Sequence, residues 1–279
     1  LLRPSGAEAE AAWQDLVAAN NAQVKRTRER IDADDFYAPV ASFFRADPHR
    51  NDDSTLNALQ GLAESGESWL DVGAGGGRFA LGMAPHVGRL IAVEPSEGMR
   101  AVFEEVRAEA GIENVELIAE RWPMAAAPEV DVVMFTHVGY DIAAIGPFLD
   151  GVEASARRLC VAVLLERSPG SAFAELWEGV HGEPPALLPG LPEFVSLLMA
   201  RGRMPNVAIV GTRPFQFASM EEVEEAARRR MWVNEETPKH ERIKELLPSI
   251  VREGADGSLS AGPPLAIGVV TWQPTSDAS

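Results

Sequence analysis

Apolar residues in the middle of the chain come in short runs, set between longer stretches with a helical rhythm. Residues 69–72, 89–93, 115–118, 131–135 and 159–165 are strand-length runs rich in Val, Leu and Ile. Between them, 78–86, 96–110 (closed by Gly111) and 142–156 read as helices. Further on, 191–201 reads as a helix ending at Gly202, and 206–210 as another strand. Strands that alternate with helices need crossover connections, so the pattern predicts a mostly parallel sheet covered on both faces.

The flanks depart from this rhythm. Residues 8–30 predict a helix rich in Ala, Glu, Gln and Arg. Beyond 213, Ser219-Met220-Glu221-Glu222 is a capping box opening a helix to about residue 233. Thr237-Pro238 offers an N-cap and a first-turn proline for another helix, ending near Gly254. A turn-rich stretch, 255–264, then leads to a last strand, 265–272, whose hairpin-like return makes it antiparallel. The expectation is a Rossmann-like α/β fold with seven strands, mostly parallel, the last antiparallel. It divides into an N-terminal helical extension or lid (1–60) and a core domain (61–279), with cap insertions at about 168–190 and 213–264.

The bulk composition narrows the classes. With 279 residues, 46% of them hydrophobic and 24% charged, the chain can bury a sizeable core. No run of about 18 apolar residues predicts a membrane span. The first residues, Leu1 to Gly6, lack the layout of a secretory signal, and without an initiator Met the start reads as trimmed. Cys160 is the single cysteine; it excludes an internal disulfide, points to a reducing, cytoplasmic setting, and reads as a small buried hydrophobe. The net charge of −17 repels phosphate backbones and anionic headgroups, which weighs against nucleic-acid and membrane partners. Arg228-Arg229-Arg230 follows an acidic stretch on one helix and reads as a solvated face.

The chemistry concentrates in Asp71-Val72-Gly73-Ala74-Gly75-Gly76-Gly77, between a strand and a helix. Glycines there let the backbone turn and approach a ligand, and the helix N-terminus presents unpaired N–H groups. Glu94 stands at the end of the next strand, where a carboxylate accepts ribose hydroxyls. Two cofactor classes fit. Gly75-x-Gly77-x-x-Ala80 matches the dinucleotide pattern G-x-G-x-x-A formally, but starts two residues late after the strand. The set Asp71, Gly73, Gly75 and Gly77 resembles the glycine loop of class I S-adenosylmethionine (SAM)-dependent methyltransferases.

That resemblance runs from about Trp69 to Arg167, and more loosely to Trp272. Val93-Glu94-Pro95-Ser96-Glu97-Gly98-Met99 is similar to the second methyltransferase signature, and Leu117-Ile118-Ala119-Glu120-Arg121-Trp122 to the third. The resemblance implies a cofactor site of Asp71, Gly73, Ala74, Gly75, Gly77, Glu94, Pro95, Met99, Glu120, Arg121, Trp122 and His137. Glu94 would hold the ribose, Met99 would pack near the adenine, Glu120 would accept its amino group, and Trp122 would form a wall. The Glu120-Arg121-Trp122 triplet and Thr136-His137-Val138-Gly139-Tyr140-Asp141 resemble an uncharacterised bacterial and archaeal branch of the superfamily.

Transfer of a sulfonium methyl is an in-line displacement helped by alignment and exclusion of water, and a base is needed only where the nucleophile keeps its proton. His137, at the end of the fourth strand, is the candidate base; the alternative is that it helps bind SAM or satisfies a loop carbonyl. Tyr37, Tyr140, Trp177 and His181 are candidate acceptor contacts. Trp177 and His181 sit four apart, so a helix puts them on one face. Phe36, Tyr37, Phe43 and Phe44 read as a lid over the cofactor or as core. Asp141 reads as a helix N-cap or a site residue. No metal-ligand spacing occurs among the His, Cys and carboxylates, so no metal is expected. The sequence thus predicts a SAM-dependent methyltransferase acting on a small molecule and releasing S-adenosylhomocysteine. The competing readings are a SAM-binding protein without catalysis and an NAD-dependent oxidoreductase.

Overall fold

The computed structural model describes residues 4–30, 41–42, 44–255 and 257–274. Five parallel strands form one side of a sheet: β1 (Ser68–Val72), β2 (Arg89–Val93), β3 (Val115–Ile118), β4 (Val130–Thr136) and β5 (Ala156–Leu165). β6 (Asn206–Phe217), β7 (Val251–Glu253) and β8 (Leu259–Trp272) complete it. β8 runs antiparallel between β5 and β6, giving the order β3-β2-β1-β4-β5-β8-β6. The mostly parallel Rossmann-like sheet and its antiparallel last strand are as expected, but the strands number eight rather than seven among the described residues. The additional one, β7, pairs with the start of β8.

Both differences near the C-terminus have local causes. The helix from Pro238 ends at Leu246, because Pro248 follows within a 3-10 turn, Leu247–Ser249. The stretch expected as turns belongs partly to β8. Opposite it, the register jumps from Arg213↔Leu265 to Phe215↔Ala261, so Gly262-Pro263-Pro264 bulge out against one residue of β6. Prolines have no N–H to give a ladder, and a bulge tolerates them. After Gly77 the expected helix is also shorter, Ala80–Met83, with Pro85 turning the chain into a 3-10 turn.

Strand alternation divides the core in two. Leu70, Val72, Ile91, Val93, Val133 and Phe135 face α1 (Gly6–Thr27), α5 (Ile145–Ser155) and α7 (Leu191–Ala200). Trp69, Leu90, Ala92, Val132 and Met134 face α2 (Ser54–Gln60), α3 (Ala80–Met83) and α4 (Glu97–Ala110). A third cluster joins α6 (Ala174–His181), α8 (Met220–Arg230) and α9 (Pro238–Leu246) to the near ends of β6 and β8. The segments expected as insertions meet there.

The first helix, expected as an extension or lid, is built into one face of the sheet. Ser5 and Glu8 form a capping box at its start, and Trp13 and Val17 are buried in the first core. Trp13 Nε1 donates to the Ile142 carbonyl at 3.1 Å, on the loop after β4. Gln23 Nε2 donates to Pro184 and Asn20 Nδ2 to Ala186, while Lys239 Nζ reaches back to Thr27. The helix therefore ties the sheet to the cap.

Candidate functional site

The loop leaving β1 holds Gly73, Gly75 and Gly77 at φ 75°, 55° and 84°, a region L side chains rarely adopt. The N–H groups of Gly73 and Ala74 both donate to the Val93 carbonyl, at 2.8 and 3.1 Å, pinning the turn to the end of β2. A Cβ on Gly73 would lie 2.7 Å from Val138 Cγ2, and one on Gly77 would lie 2.7 Å from Leu81 Cδ1. Among the described residues, a Cβ on Gly75 would meet nothing nearer than Met99 Sδ at 4.0 Å. Packing thus demands glycine at 73 and 77, whereas at Gly75 no described side chain or backbone stands in the way of a Cβ.

Glu94 is buried and grips this loop. Its Oε2 accepts from the Gly75 N–H and its Oε1 from the Ser96 N–H, both at 2.8 Å. A carboxylate offers about four lone-pair sites, and these two bonds take one on each oxygen. Ser96 caps α4 through its bond to the Met99 N–H, and Met99 is buried against the loop. Arg100 holds the carbonyls of Glu94 and of exposed Pro95.

Asp71 shares the strand face of Trp69, opposite Ala92 and Met134. It is fully buried, and neither carboxyl oxygen has a hydrogen-bond partner among the described residues. Burial first, and the charge of Glu94 second, push its pKa up to about 8. An acid orphaned beneath a glycine loop suits a cationic ligand group above it. These features fit SAM: Asp71, Glu94 and the backbone of Gly75 form a cradle with acceptors below and backbone N–H groups around it.

Glu120 and Arg121 are exposed on the loop after β3, within reach of solvent or ligand. The Trp122 indole N–H donates to the Phe148 carbonyl at 3.2 Å, and its ring lies against Gly151, so the side chain is anchored on α5. Asp141 does not cap α5, whose N-cap is Ala144 with no side-chain bond.

β4 is wedged by Phe135, whose ring meets Phe148, Phe194 and Trp272 edge-on. Just past this anchor stands His137, with φ 57° and its N–H donating to Val163 at 2.8 Å. Tyr140 is buried beside it. Its hydroxyl accepts from the Leu165 N–H at 2.8 Å and lies 3.4 Å from His137 Nδ1. Burial holds the phenol well above its ordinary pKa. Tyr140 is therefore a tie between the ends of β4 and β5, not the open acceptor contact expected.

Trp177 and His181 do share a face, with ring centroids 4.3 Å apart, but they sit in the cap core. His181 Nε2 donates to the Met231 carbonyl, and burial, then Lys239, pull its pKa down to about 4. Tyr37, with Phe36 and Phe43, lies outside the described residues. Phe44 is described: its carbonyl would be 3.2 Å from a Cβ on Gly76, so the chain crosses the glycine loop there.

One cluster was missed. Asp53 accepts from Arg50 Nε at 3.0 Å and from Arg78 Nη2 at 2.7 Å, and both guanidinium groups lie within 5.6 Å of the Phe79 ring centre. Phe79 is 6.3 Å from the His137 ring. The available signal was Arg78-Phe79, directly after the loop; Arg50 and Asp53 carried none. Among the described residues no three His, Cys, Asp or Glu side chains gather as a metal site, and no helix is long and apolar enough to cross a membrane.

Strand order and glycine loop together give the Rossmann-like arrangement expected of a class I methyltransferase fold. Residues 70–155 match the family model of a methyltransferase domain, which places this segment in that superfamily. No curated protein matches the chain. Solved structures share the fold at low identity. A putative methyltransferase from Bacillus halodurans C-125 is 15% identical with a TM-score of 0.55, covering 81% of this chain and 100% of its own. A SAM-dependent methyltransferase from Thiobacillus denitrificans, in complex with S-adenosyl-L-homocysteine, is 14% identical with a TM-score of 0.51, covering 88% and 100%. The [4+2]-cyclase SpnF is 12% identical with a TM-score of 0.50, covering 99% and 98%.

Proposed function

We propose that the protein transfers the methyl group of SAM to a small-molecule acceptor and releases S-adenosylhomocysteine. One observation carries the reading: Gly75, the loop glycine where a Cβ would crowd no described residue, is held by Glu94, the acid at the end of the next strand. This brings a backbone cradle and a ribose-type acceptor together at the mouth of the sheet. Asp71, Gly73, Ala74, Gly75, Gly77, Glu94 and Met99 would hold the cofactor, with Glu120 near its adenine. Bound there, the cofactor supplies an electrophilic methyl on a sulfonium.

The chain's own work is then alignment and exclusion of water. Phe135 and the Val163 carbonyl fix the end of β4, so His137 is held at the expected methyl side of the site. The net charge of −17 favours a small molecule over nucleic acid or a membrane surface as partner. Calorimetric titration with SAM, S-adenosylhomocysteine and NADH tests the reading. Binding of both adenosyl ligands with none for NADH is expected, and Gly75→Arg should abolish it. Unchanged affinity in that variant would remove the loop from the site.

A second reading has one observation in its favour. The fold is shared along nearly the whole chain with a [4+2]-cyclase, so the fold alone does not select methyl transfer. Tight S-adenosylhomocysteine binding without methyl transfer across a broad acceptor panel would favour a SAM-binding protein with other work to do.

A further inference from the structure

Arg50 and Arg78 share one carboxylate that cannot neutralise them both. Asp53 Oδ1 is occupied at the start of α2, where it accepts the Thr55 and Leu56 N–H groups at 3.1 and 3.2 Å. Its Oδ2 takes both cations, Arg50 Nε at 3.0 Å and Arg78 Nη2 at 2.7 Å. Among the described residues, neither guanidinium pairs with any other carboxylate. The Asp47 side chain accepts the His49 N–H and is exposed, so water screens its charge. The cluster therefore holds one positive charge in excess, in a chain whose net charge is −17.

Hydrogen-bond donors are in excess as well. A guanidinium offers five N–H groups in a flat fork. Arg50 commits three: Nε to Asp53, and Nη1 to the carbonyls of Asp47 and Arg78 at 3.1 and 2.8 Å. Its Nη2 is buried and has no acceptor among the described residues. A charged donor removed from water and left unpaired is costly for a fold to keep. Arg78 commits one N–H and is partly exposed, so the pair is open to solvent on its side.

The cluster also stands beside the candidate site. Arg78 follows Gly77 directly, and the Arg50 bond to its carbonyl pins the chain as it leaves the loop. Both guanidinium groups lie within 5.6 Å of the Phe79 ring centre, and that ring is 6.3 Å from the ring of His137 at the end of β4. In the methyl-transfer reading this is the methyl side. SAM brings a net positive charge of its own, so surplus positive charge beside it is unfavourable until an anion joins them.

We propose, resting on the methyl-transfer reading, that Arg50 and Arg78 form an oxyanion subsite, and that the acceptor is a small molecule carrying a carboxylate or phosphate group. That group is held by Arg78 and Arg50 Nη2, which sets the rest of the acceptor toward the methyl. A guanidinium fork meets either group with two parallel N–H bonds, whereas an ammonium meets it as a point charge.

The test is calorimetric titration of the S-adenosylhomocysteine-loaded protein with benzoate, phenyl phosphate and the neutral benzamide. At least one anion is expected to bind about tenfold or more tightly than benzamide. Arg78→Gln should weaken that binding about tenfold or more while leaving S-adenosylhomocysteine affinity within about twofold. Arg78→Lys, which keeps the charge without the fork, should recover only part of the loss. Anions that bind no better than benzamide overturn the proposal, as does anion affinity unmoved by Arg78→Gln. A parallel fall in S-adenosylhomocysteine affinity also overturns it, because the guanidinium would then serve the cofactor's own carboxylate. The comparison of anions with benzamide uses the unaltered protein, so it decides even where a variant folds poorly. Absent S-adenosylhomocysteine binding would sink the cofactor reading instead, and the same anion titration on the unloaded protein would still judge the subsite.

Discussion

Glu94 Oε2 accepts the Gly75 N–H at 2.8 Å, which locks the acid at the end of β2 to the one loop glycine where a Cβ would crowd no described residue. The bond makes the two halves of the candidate cofactor site interdependent. Glu94→Ala removes two charge-assisted bonds, to Gly75 and Ser96, together with the acceptor for ribose. Hydrogen bonds to charged groups are worth about 1.5–3 kcal/mol each, so affinity for S-adenosylhomocysteine should fall at least about tenfold. Glu94→Gln, which retains one acceptor oxygen, should fall between the two. Calorimetry on all three proteins checks the order.

Asp71 gives the protein a pH signature. Its pKa is raised in the folded state from 3.8 to about 8, so between those values the native protein holds a proton that the unfolded chain has lost. Stability contributed at this position must therefore fall as pH rises through that window. Asp71→Asn keeps the shape without the charge. It should stabilise the apoprotein more at pH 8 than at pH 5, by on the order of 2–4 kcal/mol. Urea unfolding at the two pH values measures the difference.

The three loop glycines should separate stability from affinity. Alanine at 73 or 77 combines a left-handed backbone with a clash against Val138 or Leu81, and should cost well over the ~1–2 kcal/mol of the conformation alone. Gly75→Ala carries the conformational cost without the clash, so its melting point should drop least. Its loss should appear in S-adenosylhomocysteine affinity. Thermal melts paired with calorimetry distinguish the two patterns.

His181 makes the cap sensitive to acid. Its pKa is lowered from 6.5 to about 4, so the unfolded chain takes up a proton that the native cap refuses. The stabilisation is complete above pH 6.5 and is lost as pH falls toward 4, by about 1–2 kcal/mol after allowance for partial solvation. Hydrogen exchange in α6 and around Met231 should rise over that interval, and His181→Gln should flatten the response.

What the sequence disclosed follows the range of the forces involved. The strand runs, the caps at Ser96 and Gly111, and the glycine loop are set by neighbours within a few residues, and they stand where they were expected. Glu94 was legible because its distance from the loop is fixed by one strand–helix–strand unit. The anchoring of Trp122 and Tyr140 was hidden for the opposite reason. Their surroundings are carbonyls and amides contributed from Phe148 and Leu165, which no local pattern reveals. Asp53 and Arg50 found Arg78 only through the folding of α2 against α3, and β7 was too short to show a period.

The first helix carries a consequence for how this chain assembles. Its partners are Ile142, Pro184, Ala186 and Lys239, all made 129 to 212 residues after the helix residues they bind. On a growing chain α1 emerges before all of these partners, and Trp13 and Val17 stay without their burial sites until α5 and α7, with Phe194, have been synthesised. Contacts so distant in sequence slow folding and leave apolar surface uncovered meanwhile. A chain stopped before Phe194 would present that surface permanently, so the helix ties closure of this face of the core to synthesis through α7.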